Sequence, residues 1–320
     1  MDELLPGLLS GAGVALLRLR SLGDIVLMTP ALAALKAWRP DLRLAAVVES
    51  RFAAALAGNP DLAEVIAVAP GAAGRWNAVR ALRRFRPTLA AGLHGGSSAA
   101  ILARASGARY RANFAGLRNS WAYNRHVPPK SPAPGQSRMH TVEHVASLFE
   151  ALGLPEVGLG PLRATANDAG RARMRQRLRE CGVTGRFAFL NTEAREPGMR
   201  WPLARFGELA AWLQRERGLA SVQASAGRGQ AADGAVLLAG TTVEDLIALI
   251  AESDLVVGND GGPVHLAAAL GKPVVVLYST TDVEVWRPWQ ARSRWLQQAN
   301  LASVSASAVA AEIAALLPGR

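Results

Sequence analysis

Cysteine is almost absent from this chain of 320 residues, in which Cys181 stands alone. A single cysteine excludes an internal disulfide framework and favours a reducing compartment, where we expect it to be a small core residue. Long apolar runs are missing too, since residues 4–17 are interrupted by Pro6 and three glycines and follow Asp2 and Glu3 rather than a basic segment. This stretch is typical of neither a signal peptide nor a membrane span, so the sequence predicts a cytoplasmic protein.

Acidic residues are scarce, because 25 Asp and Glu stand against 36 Lys and Arg and leave a net charge of +11. Such a charge favours anionic partners. Only Arg83, Arg84 and Arg86 cluster tightly, and no basic segment alternates with aromatic residues, so nucleic acid is disfavoured. Peripheral contact with an anionic membrane surface stays open, since each nearby Lys or Arg adds about 1 kcal/mol. On charge alone, a solvated arginine-rich face is the favoured alternative.

No G-x-G-x-x-G motif follows the first apolar strand, which argues against a dinucleotide-dependent oxidoreductase. The chain instead alternates apolar β-branched runs with helical segments in both halves, which predicts an α/β protein with doubly wound parallel sheets. Because 320 residues exceed one usual core, we expect two Rossmann-like domains, residues 1–158 and 159–320, facing a central cleft. Predicted strands are 14–19, 42–48, 64–68, 88–93, 187–190, 220–223, 254–257 and 274–278. Predicted helices are 29–38, 51–57, 75–85, 97–105, 141–152, 203–217, 243–251 and 263–270, and residues 113–136 predict a long loop.

The most informative segment is residues 254–282, which read as strand, glycine turn, short helix and strand. Pro263 suits the first helical position, and Gly271 suits the helix end. Gly261 and Gly262 allow a tight turn and a close approach of the backbone to a ligand.

This turn predicts an anion site. The N–H groups of Gly262, Val264 and His265 are expected to converge on a diphosphate at the positive end of the helix. The alternative is an ordinary strand-to-helix turn in which Asp260 caps the helix.

A second candidate site follows the first strand, where Gly23 permits a sharp turn and Asp24 lies at the carboxyl end of the strand. A carboxylate in that place can accept a proton from a hydroxyl. Its alternative role is helix capping, although Thr29 before Pro30 offers a cap closer to the predicted helix start.

Four segments resemble glycosyltransferase family 9, the ADP-heptose:lipopolysaccharide heptosyltransferases, in the expected order along nearly the whole chain. They are RLRSLGDIVLMTPAL, HTVEHVASLFEALGLP, MRWPLARFGELA and NDGGPVHLAAALGKPVVVLY. The resemblance implies a GT-B architecture and inverting transfer of heptose from a nucleotide diphosphate to the lipopolysaccharide inner core. It implies no metal and no cofactor besides the donor substrate, and the sequence contains no Asp-x-Asp motif.

Two positions depart from the family pattern. Met199 stands where the family usually has a Lys that neutralises the donor phosphates, which leaves Arg200 or Arg195 for that role. Residues 220–232 contain no carboxylate, although the family tends to place one there against the ribose. These departures motivate two alternatives: a family 9 enzyme with another nucleotide sugar or acceptor, and a nucleotide-sugar-binding protein without catalysis.

The resemblance and the residues together give an expected mechanism. Asp24 takes the proton of the acceptor hydroxyl while the diphosphate leaves toward the Pro263 helix. Asp260 holds donor sugar hydroxyls, and Thr192 bonds a phosphate oxygen. His265 serves as a neutral hydrogen-bonding or structural histidine.

Other conspicuous side chains have less specific readings. His94 either contacts the acceptor or belongs to a simple turn with Ser97 as the helix cap. His140 and His144 are at helical spacing, but with no third ligand evident a structural role is favoured over a metal pair. Trp201 is expected to pack against a helix start rather than to stack on a base.

Overall fold

The computed structural model describes residues 4–132 and 137–318. The chain divides into two compact units, Met1–Arg163 and Ala164–Arg320, whereas the sequence placed the boundary after residue 158. In the described parts of the chain, no helix is both long and apolar enough to cross a membrane.

The first unit contains a parallel sheet of six strands in the order β3-β2-β1-β4-β5-β6. The strands are β1 (Gly13–Leu17), β2 (Arg43–Glu49), β3 (Glu64–Val68), β4 (Pro87–Gly92), β5 (Tyr110–Phe114) and β6 (Arg125–Val127). The helices are α1 (Leu22–Leu27), α2 (Thr29–Trp38), α3 (Gly71–Phe85), α4 (Ser97–Ala105) and α5 (Thr141–Glu150), with 3-10 turns at Ser50–Leu56 and Ser120–Ala122.

Helix α3 illustrates how the sequence builds this unit. Ala78, Val79, Leu82 and Phe85 recur on one helical face and are buried in the core that covers one side of the sheet. The helix ends where Arg86 adopts a left-handed conformation with φ of 54°. Pro87, which follows, cannot continue a helix, so the chain turns into β4.

The second unit repeats the arrangement with a parallel sheet in the order β12-β11-β10-β7-β8-β9. The strands are β7 (Phe187–Asn191), β8 (Ala220–Ser225), β9 (Ala235–Ala239), β10 (Leu255–Asn259), β11 (Val274–Tyr278) and β12 (Ser293–Gln297). The helices are α6 (Asp168–Glu180), α7 (Leu203–Trp212), α8 (Val243–Glu252), α9 (Gly262–Ala269), α10 (Val283–Trp286) and α11 (Ala306–Leu316). A π-helical turn, Leu213–Arg217, follows α7, and 3-10 turns lie at Pro197–Met199 and Leu301–Ser303.

Both sheets have the doubly wound order 3-2-1-4-5-6, counted along the chain within each unit. In such sheets the strand order reverses between the first and fourth strands, and ligands bind beyond the carboxyl ends of the strands at that point. The reversal lies between β1 and β4 in the first unit and between β7 and β10 in the second. The predicted α/β fold with two Rossmann-like sheets is confirmed.

Three sequence-based expectations need correction. Cys181 is exposed rather than buried, because it follows the last turn of the arginine-rich surface helix α6. The predicted loop 113–136 contains a 3-10 turn and strand β6, while its residues 133–136 lie outside the described parts of the chain. The first strand runs into a short helix, α1, where a turn was expected.

Candidate active site

Asp24 lies at the strand reversal of the first unit, in the first turn of α1, and is only 8% exposed. One carboxylate oxygen, Oδ2, accepts hydrogen bonds from the backbone N–H and the hydroxyl of Ser21, both at 2.9 Å. The other oxygen, Oδ1, forms an ion pair with the guanidinium of Arg18. Asp24 therefore completes a capping box, and the capping role that the sequence had set aside is present.

The expected cap at Thr29 is wrong, because Met28 occupies the N-cap position of α2. The hydroxyl of Thr29 instead donates to the carbonyl of Val26 at 2.7 Å and accepts from the N–H of Arg163 at 3.0 Å. Thr29 is buried and ties the end of α1 to the last residue of the first unit.

Arg18 connects the two strands that meet at the reversal. It follows β1, pairs with Asp24, and donates from Nη1 to the carbonyl of Leu93 after β4 at 2.6 Å. Because its guanidinium has both partners in fixed positions, it holds the carboxylate in one orientation. The sequence did not single out Arg18, since its partners lie on separate segments.

His94, next to Leu93, lies near the same carboxylate. Burial lowers the pKa of His94, and the positive charge of Arg18 lowers it further, so the imidazole is neutral at neutral pH. A neutral imidazole can accept a hydrogen bond from a hydroxyl. The alternative cap at Ser97 is not observed, because Gly96 is the N-cap of α4.

A pocket of about 290 Å³ opens beside β1, β2 and β3 in the first unit. Its polar lining includes Glu49, Ser50, Arg51, Arg75 and Ser98. Arg51 forms a 2.7 Å ion pair with Glu49. The sequence did not identify this pocket, because its residues come from segments far apart in the chain.

A hydrogen-bonded asparagine pair fixes the strand reversal of the second unit. The amide of Asn191, at the end of β7, donates to the carbonyl of Asn259 at 2.9 Å, and the amide of Asn259 donates to the carbonyl of Thr192 at 2.8 Å. Asn259 also accepts from the N–H of Trp201 at 2.9 Å. Buried amides with several partners rigidify the strand ends that precede the site.

Thr192 points its hydroxyl into this network, where Oγ1 accepts from the side-chain amide of Gln223 at 3.1 Å. The hydroxyl proton is then available for a ligand oxygen, as the sequence predicted for a phosphate. That contact stays a prediction.

The turn into α9 differs in detail from the expected anion cradle. The helix begins at Gly262, one residue earlier than predicted, and Gly261 is its N-cap with an extended backbone, φ 165° and ψ −178°. Val264 N–H bonds to the carbonyl of Gly261 at 3.2 Å and is not available for a ligand, so this part of the prediction is wrong. Within the described residues, the N–H of Gly262 makes no hydrogen bond, and it lies at the positive end of the helix.

Asp260 precedes this turn, and burial raises the pKa of its carboxyl group. The Thr281 hydroxyl, the charge of Arg195 and the N–H of Gly261 act in the opposite direction. Asp260 does not cap α9, because Gly261 occupies that position. Its partially desolvated carboxyl group is a suitable partner for sugar hydroxyls. His265, in the first turn of α9, is buried.

Of the two arginines considered in place of the family lysine, Arg195 is close enough to lower the pKa of Asp260 through its charge. Arg200 forms a 3.0 Å ion pair with Glu193, and both side chains are about half exposed. The charge of Arg195 therefore acts on the carboxyl group that precedes the α9 turn, whereas Arg200 is paired with Glu193.

The remaining candidates have structural contacts. Trp201 is buried, donates from its indole N–H to the carbonyl of Val304 at 2.9 Å and packs edge-on against Phe206, as predicted. His140 is the N-cap of α5, and His144 stacks on Phe114 with 4.2 Å between ring centroids. Among the residues that the structure describes, no group of three or more His, Cys, Asp and Glu side chains is placed to hold a metal ion.

Two Rossmann-like units with polar side chains at both strand reversals have the fold class called GT-B. The chain belongs to glycosyltransferase family 9 (heptosyltransferase), whose model matches residues 75–311. The resemblance found in the sequence is therefore confirmed.

Several characterised proteins are similar to this chain. A lipopolysaccharide heptosyltransferase 3 of Escherichia coli strain K12 is 28% identical over 289 residues, which cover 83% of this chain and 82% of that protein. A family 9 glycosyltransferase from Veillonella parvula DSM 2008 superposes with a TM-score of 0.84 at 19% identity, over 96% of this chain and 97% of that one. An Escherichia coli heptosyltransferase solved with ADP-2-deoxy-2-fluoro heptose superposes with a TM-score of 0.72 at 21% identity, over 95% of this chain and 100% of that one.

Proposed function

We propose that this chain transfers heptose from ADP-heptose to a hydroxyl group of the lipopolysaccharide inner core, with inversion at the anomeric carbon. The observation that carries the proposal is the chemistry at the two strand reversals. A buried carboxylate, Asp24, occupies one, and the N-terminus of α9 occupies the other. Membership of family 9 supplies the reaction class.

In the proposed step, the acceptor oxygen forms a bond to the anomeric carbon as the bond from that carbon to the phosphate oxygen breaks. The hydroxyl proton passes to Asp24, and the electron pair of the broken bond leaves with ADP. Attack from the side opposite the leaving group inverts the anomeric configuration. The proposed step uses no metal ion. The N–H of Gly262 and the charge of Arg195, both in the second unit, stabilise the departing diphosphate.

Asp24 retains capacity for this role despite its internal contacts. A carboxylate has about four positions for hydrogen-bond donors, and Arg18 together with the two Ser21 bonds occupies three. One position is left for the acceptor hydroxyl. The internal contacts fix the orientation of the carboxylate before the acceptor binds, which lowers the entropic cost of reaching the reactive geometry.

The acceptor is proposed to bind in the first unit. Lipopolysaccharide inner-core sugars are anionic, and the pocket beside β2 and β3 presents Arg51 and Arg75 to such a group. His94, neutral near Asp24, can accept a hydrogen bond from a neighbouring acceptor hydroxyl. We propose that this reaction takes place at the cytoplasmic face of the inner membrane, where the glycolipid acceptor is anchored.

The donor is proposed to bind in the second unit. Its diphosphate lies at the N-terminus of α9, where Gly262 donates its N–H, Thr192 donates its hydroxyl and Arg195 supplies a positive charge. Asp260 accepts hydrogen bonds from heptose hydroxyls. The Escherichia coli heptosyltransferase solved with an ADP-heptose analogue supports ADP as the nucleotide.

A second candidate is transfer from another nucleotide sugar, favoured by the absence of a carboxylate in residues 220–232. Purified protein supplied with a deacylated inner-core acceptor and, separately, ADP-heptose and a panel of ADP, GDP and UDP sugars distinguishes the two. We expect a mass increase of one heptose with ADP-heptose and the highest turnover with this donor. Faster transfer from a GDP or UDP sugar would contradict the choice of donor, and tight donor binding with neither transfer nor hydrolysis would indicate a binding protein.

A further inference from the structure

The net positive charge of the chain comes from one segment. Residues 65–142 contain twelve of the 36 Lys and Arg residues and none of the 25 Asp and Glu residues. The rest of the chain holds 24 basic and 25 acidic residues and is almost neutral. The net charge of +11 is therefore a local property and not a feature of the whole surface.

This segment forms one layer over the sheet of the first unit. Helix α3, helix α4 and the 3-10 turn Ser120–Ala122 all contribute side chains to the core on the same sheet face. Helix α4 contacts both α3 and the 3-10 turn, so the three elements are contiguous. Their outward side chains form a single surface.

Large hydrophobic side chains lie on this surface. Trp76 on α3 is 60% exposed, Ile101 on α4 is 49% exposed and Trp121 in the 3-10 turn is 64% exposed. Each of the three contiguous elements therefore presents one large apolar group to solvent. A single exposed apolar residue needs no explanation, but three on one surface indicate an interaction site.

Three exposed arginines near these groups lack acidic partners. Among the described residues, no carboxylate forms an ion pair with Arg80, Arg104 or Arg118. We call Trp76, Arg80, Ile101, Arg104 and Trp121 the basic aromatic face. Unpaired arginines next to tryptophans match an anionic lipid surface, because arginine attracts the headgroups and indole favours the interface between headgroup and acyl chain.

We propose that the basic aromatic face docks the first unit on an anionic lipid bilayer. The arginines provide the attraction, and Trp76, Ile101 and Trp121 enter the headgroup region. Arg75, which precedes Trp76, and Ser98, in the first turn of α4, also line the pocket proposed for the acceptor. A bilayer on this face therefore brings a lipid-anchored sugar to the pocket, and only this last consequence rests on the proposed function.

The experiment measures binding of the full chain to vesicles without donor or acceptor, so failure of the proposed reaction does not affect it. Vesicles of phosphatidylcholine with phosphatidylglycerol are compared with phosphatidylcholine alone at low ionic strength. We expect the wild type to bind the anionic vesicles. The double variant Arg80→Glu/Arg104→Glu should bind at least about 25-fold more weakly, since each arginine near the surface contributes about fivefold.

A matched control carries the same change of charge elsewhere. Arg179 and Arg228 in the second unit are exposed, and no described carboxylate pairs with them. Arg179→Glu/Arg228→Glu should keep most of the affinity for the vesicles. The double variant Trp76→Ser/Trp121→Ser should bind the anionic vesicles about tenfold more weakly, because it loses apolar contacts with the bilayer and no charge. Circular dichroism and thermal unfolding establish that each variant is folded.

Equal losses in the Arg80/Arg104 variant and in the Arg179/Arg228 control would overturn the proposal, because binding would then follow net charge. Binding of the tryptophan variant at the wild-type level would overturn insertion of the aromatic groups. A wild type that self-associates through this face and ignores vesicles would show that a second copy, not a bilayer, is its occupant.

Discussion

Gly261 occupies a position where this chain itself would accept a larger residue. Its backbone is extended, and an added Cβ would meet only Pro263 Cδ at 3.7 Å and Asn191 Nδ2 at 3.9 Å, both ordinary contact distances. Neither conformation nor packing within the unit explains the glycine. The phosphate contact proposed for the donor would explain it, since a backbone without a Cβ lets a phosphate come close.

We therefore expect Gly261→Ala to leave the melting temperature almost unchanged and to weaken ADP binding by about tenfold, or about 1.4 kcal/mol. Adenosine, which lacks the diphosphate, should lose much less. Calorimetry of both ligands on the wild type and the variant measures the difference. Equal losses for ADP and adenosine would show that Gly261 acts on the structure of the turn and not on the phosphates.

Arg195 and Arg200 offer a second test of the donor site. Arg200 is already paired with Glu193, whereas the charge of Arg195 acts on Asp260 beside the α9 turn. Because a hydrogen bond to a charged group contributes about 1.5–3 kcal/mol, Arg195→Ala should weaken ADP binding by about tenfold or more. Arg200→Ala should change it by less than about threefold, since an exposed ion pair contributes little. The reverse order of the two effects would return the role of the missing lysine to Arg200.

At the level of helices and strands, the sequence predicted elements whose boundaries rest on local chemistry. The β10–α9–β11 unit was predicted within one residue at the helix, because Pro263 and Gly271 determine its ends locally. Helix α1 was missed, since it has only six residues and all of them are buried, Asp24 included, so no polar face alternates with an apolar one to give a helical periodicity. The edge strands β6 and β12 were missed because their exposed arginines interrupt the apolar pattern.

Some residues of the candidate site could be found from the sequence, and others only from the structure. Asp24, Gly262 and Thr192 were proposed from the sequence because each follows a predicted strand within a few residues, and their contacts with ligands stay predictions. Arg18 was missed because its role depends on Leu93 lying beside Asp24, and that proximity follows from the pairing of β1 with β4. Val264 was wrongly assigned because only the structure shows which N–H groups the turn itself uses.

The elements around Arg18 also predict a pH dependence of stability. Burial lowers the pKa of His94 and of His144, and Arg18 lowers both further. Below pH 6.5 the histidines of the unfolded chain bind protons, whereas those of the folded chain stay neutral. The free energy of unfolding that these histidines contribute is therefore fully present above pH 6.5 and is lost as the pH falls toward their lower pKa values in the folded chain.

The melting temperature should therefore decrease as the pH is lowered through 6.5. The double variant His94→Gln/His144→Gln should show a shallower decrease over the same range. Thermal unfolding followed by circular dichroism at a series of pH values measures both slopes. A wild-type melting temperature that stays constant across this range, or a variant with the wild-type slope, would contradict the assignment of buried neutral histidines.

For the molecule as a whole, one strand order is used twice with different chemistry. The reversal in the first unit carries Arg18, Asp24 and His94, and the reversal in the second carries an amide network and a helix N-terminus. A group that accepts a proton and a group that stabilises a departing anion are the two requirements of direct displacement. In the proposed reaction, the duplicated fold supplies both from equivalent positions.

The central claim is that Asp24 is the base in an inverting heptose transfer. Single-turnover transfer from ADP-heptose, with nuclear magnetic resonance of the product, tests it in the wild type, in Asp24→Asn and in Ser21→Ala. Ser21→Ala removes a hydrogen bond from the same carboxylate but keeps the base, so it controls for the capping box. ADP binding and thermal unfolding of each variant show whether the donor site and the fold are intact.

We predict a product with the anomeric configuration opposite to that of the donor. Turnover should be lowered about a hundredfold or more in Asp24→Asn, with ADP binding retained, and should remain near the wild-type rate in Ser21→Ala. A folded Asp24→Asn variant with undiminished turnover, or a wild-type product with the donor's own anomeric configuration, would contradict the account.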